Sequence, residues 1–422
     1  MSGTYTHSVT LDRDLCRGCI NCLKRCPTEA IRVQDSKARI LSDRCIDCGE
    51  CIRMCPHNAK KAVYNTLSDY SHFKHLVALP APSLYAQFNN ITDPSPILAG
   101  LLDIGFDSFF EVARARELVS DATGKIIGSM PKPVISSACP AIMRLIRVRF
   151  PELISHVLPL VSPMELAARL AKKEIMESTS LKEEEIGCIF ITPCPAKITD
   201  INNPIGSTHS AVDGAVAMKD IYQMLLKVLD EPGHKSDATS GALGVGWASS
   251  GGESDGLATV SNYLACDGIE NVIRVLNDIE DHKLYNIDFI ELNACPGGCV
   301  GGVLAVENPF IAKSKLKNIA KTMPLKRNSL GRSVPIEMLW DTNLEYIPVY
   351  ELQGTPMERF KAMSELEELI ERLPGLDCGS CGAPNCRCFA QDVINGLAKE
   401  GDCVVIMRKK LERIRSALGQ EE

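Results

Sequence analysis

Two hydrophobic rhythms alternate between about Val77 and Val349. Mostly apolar runs, such as HLVAL at 75–79, GCIFIT at 187–192 and IDFIEL at 287–292, read as strands of a parallel sheet. Segments with apolar residues every third or fourth position, PAIMRLIRVRF (140–150), SPMELAARLAKKEIMES (162–178) and IENVIRVLNDIED (269–281), read as amphipathic helices. Strand and helix in alternation predict α/β architecture with parallel sheets. Beyond this region the charged stretch MERFKAMSELEELIERL, 357–373, reads as a helix that joins a C-terminal module to the middle of the chain.

Composition narrows the class. A chain of 422 residues, 45% hydrophobic and free of low-complexity tracts, suits two or three globular domains rather than a disordered protein. The start, MSGTYTHSVTLDRD, has no basic and apolar export pattern, and no later run approaches the ~20 apolar residues of a membrane span. A cytoplasmic location without membrane association is expected. The formal charge is −7 with basic residues dispersed, so nucleic acid is not an expected partner. Nineteen cysteines change the picture more. In a reducing compartment they point to metal ligation rather than disulfides.

Near the N-terminus CRGCINCLKRCP (16–27) recurs as CIDCGECIRMCP (45–56). This C-x2-C-x2-C-x3-C-P unit, present twice, resembles the bacterial two-cluster ferredoxins. The resemblance implies Cys16, Cys19, Cys22 and Cys55 around one [4Fe-4S] cluster and Cys45, Cys48, Cys51 and Cys26 around a second. Zinc is the rival metal, but three cysteines at successive third positions suit a cubane better than a tetrahedral ion. At the other end, Cys378, Cys381, Cys386 and Cys403 in DCGSCGAPNCRCFAQDVINGLAKEGDC resemble a small four-cysteine [4Fe-4S] domain, with zinc a more serious alternative. Cys388 falls outside the spacing and reads as a buried small hydrophobe.

Three strand candidates run into cysteines: Cys139 after VISSA, Cys194 after IFITP and Cys295 after IELNA, with Cys299 four positions on in a glycine-rich loop. Ligands of open α/β sheets collect at strand carboxyl ends, so one crevice could gather all four. The motifs SSACPA, TPCPAK and NACPGGCVGG resemble the signatures of the [FeFe]-hydrogenases, the iron-only hydrogenase large-subunit family, in the family's order. That resemblance implies a two-lobed α/β hydrogenase domain (67–350) between an α+β ferredoxin-like domain (1–66) and a small C-terminal iron-sulfur module (357–422). It further implies that Cys139, Cys194, Cys295 and Cys299 hold a [4Fe-4S] cubane. Cys299 would bridge to a di-iron subcluster bearing CO, cyanide and an azadithiolate, together the H-cluster. Lys197 matches the family lysine that donates to cyanide, and Ser83, in Ala81-Pro82-Ser83, matches a serine near the di-iron ligands. An ordinary cubane without the subcluster is the alternative.

The chain departs from that family's pattern around the cofactor. Ala138 replaces a proton-carrying cysteine, Asp200 a glutamate, and Thr192 and Asn293 two methionines; the family's acidic stretch finds only ELVSDAT, 117–123. A methyl group cannot relay protons, so slow turnover is expected. With the C-terminal module, these changes resemble the sensory branch of the family. The function implied is low-turnover, reversible H2 oxidation and proton reduction in a hydrogen or redox sensor, with a redox or signalling partner protein and hydrogenase maturation proteins. The alternative is a catalytically silent electron-transfer or iron-sulfur assembly protein. Cys188 and Cys266 read as core thiols, and GALGVGWASSGG (241–252) as a loop near the cofactor.

Overall fold

The computed structural model describes residues 7–230, 232–257, 260–350, 352 and 354–418. The chain forms two compact units, one of residues 46–49 and 62–347 with the first described residues, the other of 9–45, 50–61 and 348–422.

The larger unit contains two parallel sheets, as the two-lobed α/β expectation requires. One has four strands in the order Ser108–Phe109, His75–Pro80, Ile186–Thr192, Gly214–Ala217; the other has three, Tyr263–Asp267, Phe289–Asn293, Val134–Ile135. Every residue of Ile186–Thr192 is buried, which is why its sequence shows an unbroken apolar run instead of alternation. The helices Pro140–Arg149, Pro163–Ser178 and Ile269–Glu280 fall where the helical periodicity put them. Val134–Ile135 is shorter than the VISSA run, although Ser136 N still donates to Ile290 O of the neighbouring strand at 3.0 Å. Ser136 turns its hydroxyl to Glu253, and Ser137 donates to the Leu160 carbonyl at 3.0 Å. The 241–252 segment, expected as a loop, contains a helical turn at Ala242–Gly246 and leads into another at Gly252–Asp255.

The smaller unit joins the two cysteine-rich ends, which the sequence motifs treat as separate modules. Its N-terminal part has an antiparallel hairpin, Ile31–Gln34 with Lys37–Ile40, turned by Asp35 and Ser36 at positive φ. The C-terminal part comprises the helices Pro356–Arg372, Cys386–Ile394 and Val404–Ala417. They meet closely. Val33 N donates to Gly382 O at 2.9 Å, and a Cβ on Gly382 (φ +82) would lie 1.8 Å from Val33 O, so only glycine fits. Buried Arg32 forms a forked pair with Asp392, and Lys24 Nζ donates to the carbonyls of Asp377 (2.5 Å) and Pro384 (2.9 Å).

Candidate active site

Cys139, Cys194 and Cys295 stand at or just beyond the carboxyl ends of their strands, and Cys299 opens the single turn Cys299–Gly301. All four thiols line one apolar cavity in the larger unit. Burial is the main force that pushes the Cys139 thiol up and Cys194 to about 12, with neighbouring thiolates adding to both. Such thiols ionise readily only beside a cation. The loop holding them is shaped by glycine: at Gly298 (φ +92) a Cβ would come 2.5 Å from Ser250 N. Thr192 fastens the preceding turn, its hydroxyl donating to Cys194 O (2.9 Å) and accepting from Cys194 N (3.2 Å).

Lys197 also lines the cavity. Its ammonium is buried, lies 3.7 Å from the Asp200 carboxylate, and has no hydrogen-bond partner among the described residues. Arg116 enters from the helix Val112–Ile126, held against Cys299 and near the Trp247 ring, with Nε and Nη1 likewise without hydrogen-bond partners. Ser83 is fully buried and its hydroxyl has no partner among the described residues, but Ala81 is the member of that segment that lines the cavity. Sequence reasoning did not single out Arg116. Its signal was weak, one basic residue on an apolar helix face.

Thr192 and Asn293, set apart in the sequence, diverge. Asn293 reaches the cavity and donates to Glu291 Oε1 at 2.9 Å, whereas Thr192 commits its hydroxyl to the cysteine turn. Glu117 is a structural clamp: it accepts from Gly241 N at 2.9 Å and Asn328 N at 2.9 Å, and Asp121 pairs with Lys326.

A carboxylate pair was missed. Glu253 and Glu291 both line the cavity and are almost wholly buried. Glu291 Oε2 accepts from Glu253 N (3.1 Å) and Ser254 N (3.0 Å), and Oε1 from Gly251 N (3.0 Å), so its charge sits at the start of a helical turn. Burial first, and then the Glu291 charge, push Glu253 up to about 8, so it holds a proton at neutral pH. Ser136 Oγ lies 2.7 and 2.8 Å from the two Glu253 oxygens and accepts from Ala138 N at 3.2 Å. The available signal was Glu291, the acid of the buried strand Phe289–Asn293.

In the smaller unit Cys16, Cys19 and Cys55 are electrostatic neighbours of Cys22, and burial pushes Cys22 up to about 11. Cys26 and Cys51 pack on the same small core, and Cys45 closes the turn Ser42–Arg44. Cys48 lies in the larger unit on the loop 46–49. Asp47 ties that loop to the helix after Cys194 by accepting from Thr199 Oγ1 and from Ser8 N, both at 2.9 Å. Cys378, Cys381, Cys386 and Cys403 line one small cavity. Cys388 does not; its thiol donates to Glu29 at 2.8 Å and burial raises it, so it remains a protonated core thiol.

These arrangements suit the groups that the motifs imply. Four convergent thiols can hold a cubane, and the partnerless nitrogens of Lys197 and Arg116 can meet anionic ligands beside it. Parallel sheets that deliver thiolates and a buried cation to one crevice define a redox iron-sulfur protein. Comparison with known proteins specifies the kind. A family model described as "Iron only hydrogenase large subunit, C-terminal domain" matches residues 74–255 and 252–303, a 4Fe-4S dicluster domain matches 8–56, and an Fe-S cluster model matches 373–405. The chain belongs to the iron-only hydrogenase large-subunit family.

Iron hydrogenase 1 of Clostridium pasteurianum is 22% identical over 70% of this chain and 64% of its own length, so the chain spans less than two thirds of that relative. The periplasmic [Fe] hydrogenase large subunit of Nitratidesulfovibrio vulgaris is 26% identical over 70% of this chain and 86% of its own. The cytosolic Fe-S cluster assembly factor NAR1 of Yarrowia lipolytica is 24% identical over 30% of this chain and 28% of its own. The fold is shared with the solved [FeFe]-hydrogenase HydA(deltaEFG), 16% identical with a TM-score of 0.51 over 66% of this chain and 96% of that one. Among the described residues no helix is long and apolar enough to cross a membrane.

Proposed function

We propose that this protein is a low-turnover [FeFe]-hydrogenase whose crevice holds an H-cluster, serving as a hydrogen or redox sensor. The observation that carries the reading is the meeting of four thiols with the Lys197 ammonium, which has no hydrogen-bond partner among the described residues, in one buried cavity. When bound, the cofactor supplies hydrogen binding and electron exchange. The chain supplies the rest. Cys139, Cys194, Cys295 and Cys299 hold the iron; Lys197 and Arg116 orient anionic ligands by charge-assisted hydrogen bonds. Buried apolar walls exclude bulk water. Proton supply limits the site, because Ala138 cannot ionise. Glu253, protonated at neutral pH and bonded to Ser136, is the cavity's own proton holder, and Glu291 fixes its orientation.

Electrons would travel through two ferredoxin-type clusters and the C-terminal cluster to a redox or signalling partner protein, and maturation proteins would build the di-iron part. Infrared spectroscopy of the matured protein tests the reading: CO and cyanide bands are expected. Cys299→Ser should abolish them while most ferredoxin-type iron stays. Ala138→Cys should raise hydrogen turnover at equal cofactor loading. Absence of the bands after maturation would favour a silent electron-transfer or iron-sulfur assembly role, the reading that the NAR1 likeness supports.

A further inference from the structure

The helix Val404–Ala417 leaves the C-terminal module after Cys403. Val405 and Ile406 pack partly on that module's core, and every described residue from Met407 onward is exposed. Its apolar residues are nevertheless strictly spaced: Val404, Met407, Leu411, Ile414 and Leu418 succeed one another at intervals of 3, 4, 3 and 4, and are 42–69% exposed. That is a seam with a 3.5-residue repeat, the a and d positions of a coiled coil. A helix packing on a globular core carries a wider stripe, with a third apolar position in each repeat, as does a helix lying in a membrane interface.

The flanks decide the occupant. Arg408 and Arg415 take the e positions and Lys410 a g position, with Lys409 and Arg413 on the outer face; Glu412, engaged with Arg408 at 3.1 Å, is the stretch's acid. A second copy aligned in parallel would set Lys410 against Arg415, and one aligned antiparallel would set each flank against its like. Both pairings are repulsive. We propose that this helix is a docking strand for an α-helical segment of another protein, one with an apolar a/d seam and acidic e and g flanks, forming a short two-stranded coiled coil. Such a contact reaches the module that carries Cys378, Cys381, Cys386 and Cys403, and it is independent of which cofactor the crevice holds.

The test uses the full-length, anaerobically purified protein and two synthetic helical peptides with identical Ile/Leu seams, one with Glu and one with Lys at e and g. Fluorescence anisotropy should show the acidic peptide binding about tenfold or more tighter than the basic one at low salt. Leu411→Ser with Ile414→Ser should remove binding. Arg408→Glu, Lys410→Glu and Arg415→Glu together should reverse the preference toward the basic peptide, an inversion that loss of folding cannot produce. No binding, or equal binding of the two peptides, overturns the proposal. So does concentration-dependent dimerisation lost in the seam variant, which assigns the seam to a second copy. Tighter binding to phosphatidylglycerol vesicles than to the acidic peptide, also lost in the seam variant, overturns it in favour of a lipid surface.

Discussion

Glu253 carries a chemical burden that its sequence context hides. Its pKa is raised, so between about 4.5 and about 8 the folded protein keeps a proton that the unfolded chain releases. Its contribution therefore favours folding at low pH and is lost as pH rises through about 8. Replacing Glu253 by Gln should remove that pH dependence. It should also delete a carboxylic-acid carbonyl band that titrates near pH 8 in infrared spectra of the unmodified protein. A band that persists in the variant would assign the proton elsewhere. Lys197 is expected to act differently. Lys197 is buried beside Asp200, so Lys197→Met strips that carboxylate of a cation and should lower the melting temperature as well as weaken retention of an anionic cofactor, whereas adding Asp200→Asn should recover stability but not retention. Thermal melts and infrared band intensity measured on the same preparations separate the two effects.

At the scale of elements, the ligand turns owe their shape to the residues just past each strand. Ser136 and Ser137 turn their hydroxyls to Glu253 and Leu160 O, Thr192 folds back on Cys194, and Gly298 passes too close to Ser250 for any side chain. The hairpin Ile31–Gln34 and Lys37–Ile40 plays the corresponding part in the smaller unit, since the Gly382 loop docks on it through Val33. Gly382→Ala would place a methyl group against the Val33 carbonyl in a left-handed backbone, at a cost on the order of 3 kcal/mol or more. The Val33 amide should then lose hydrogen-exchange protection while amides of the parallel sheets keep theirs. Protection unchanged at Val33 would mean that the loop is held by other contacts.

Across the whole molecule, the two cysteine-rich ends share a unit, which alters what truncation should do. Removing everything from Pro374 onward should lower bound iron by about four per chain, the content of one [4Fe-4S] cluster. Within the intact chain, Asp392→Ala leaves the buried Arg32 without its carboxylate, a loss worth about 3–5 kcal/mol. Adding Arg32→Met to the Asp392→Ala chain should restore much of that stability, as read by its melting temperature; iron analysis that finds zinc in the C-terminal module instead would make it a structural knuckle. The sequence alone indicated the parallel α/β class and the iron-sulfur motifs, in agreement with the two parallel sheets and the matching family models, because iron ligation calls for cysteines at short, regular spacings and buried strands call for mostly apolar runs. It also set Cys388 apart as a buried thiol. Tertiary structure alone decided that Glu117 is a clamp while Glu253 and Glu291 face the cavity, that Arg116 joins them, and that the Gly382 loop rests on Val33. Those outcomes depend on which side chains meet across long stretches of chain. An isolated acid or glycine looks the same in sequence whether it ends in a cavity, a clamp or a turn, and only its neighbours in space assign its charge and its task.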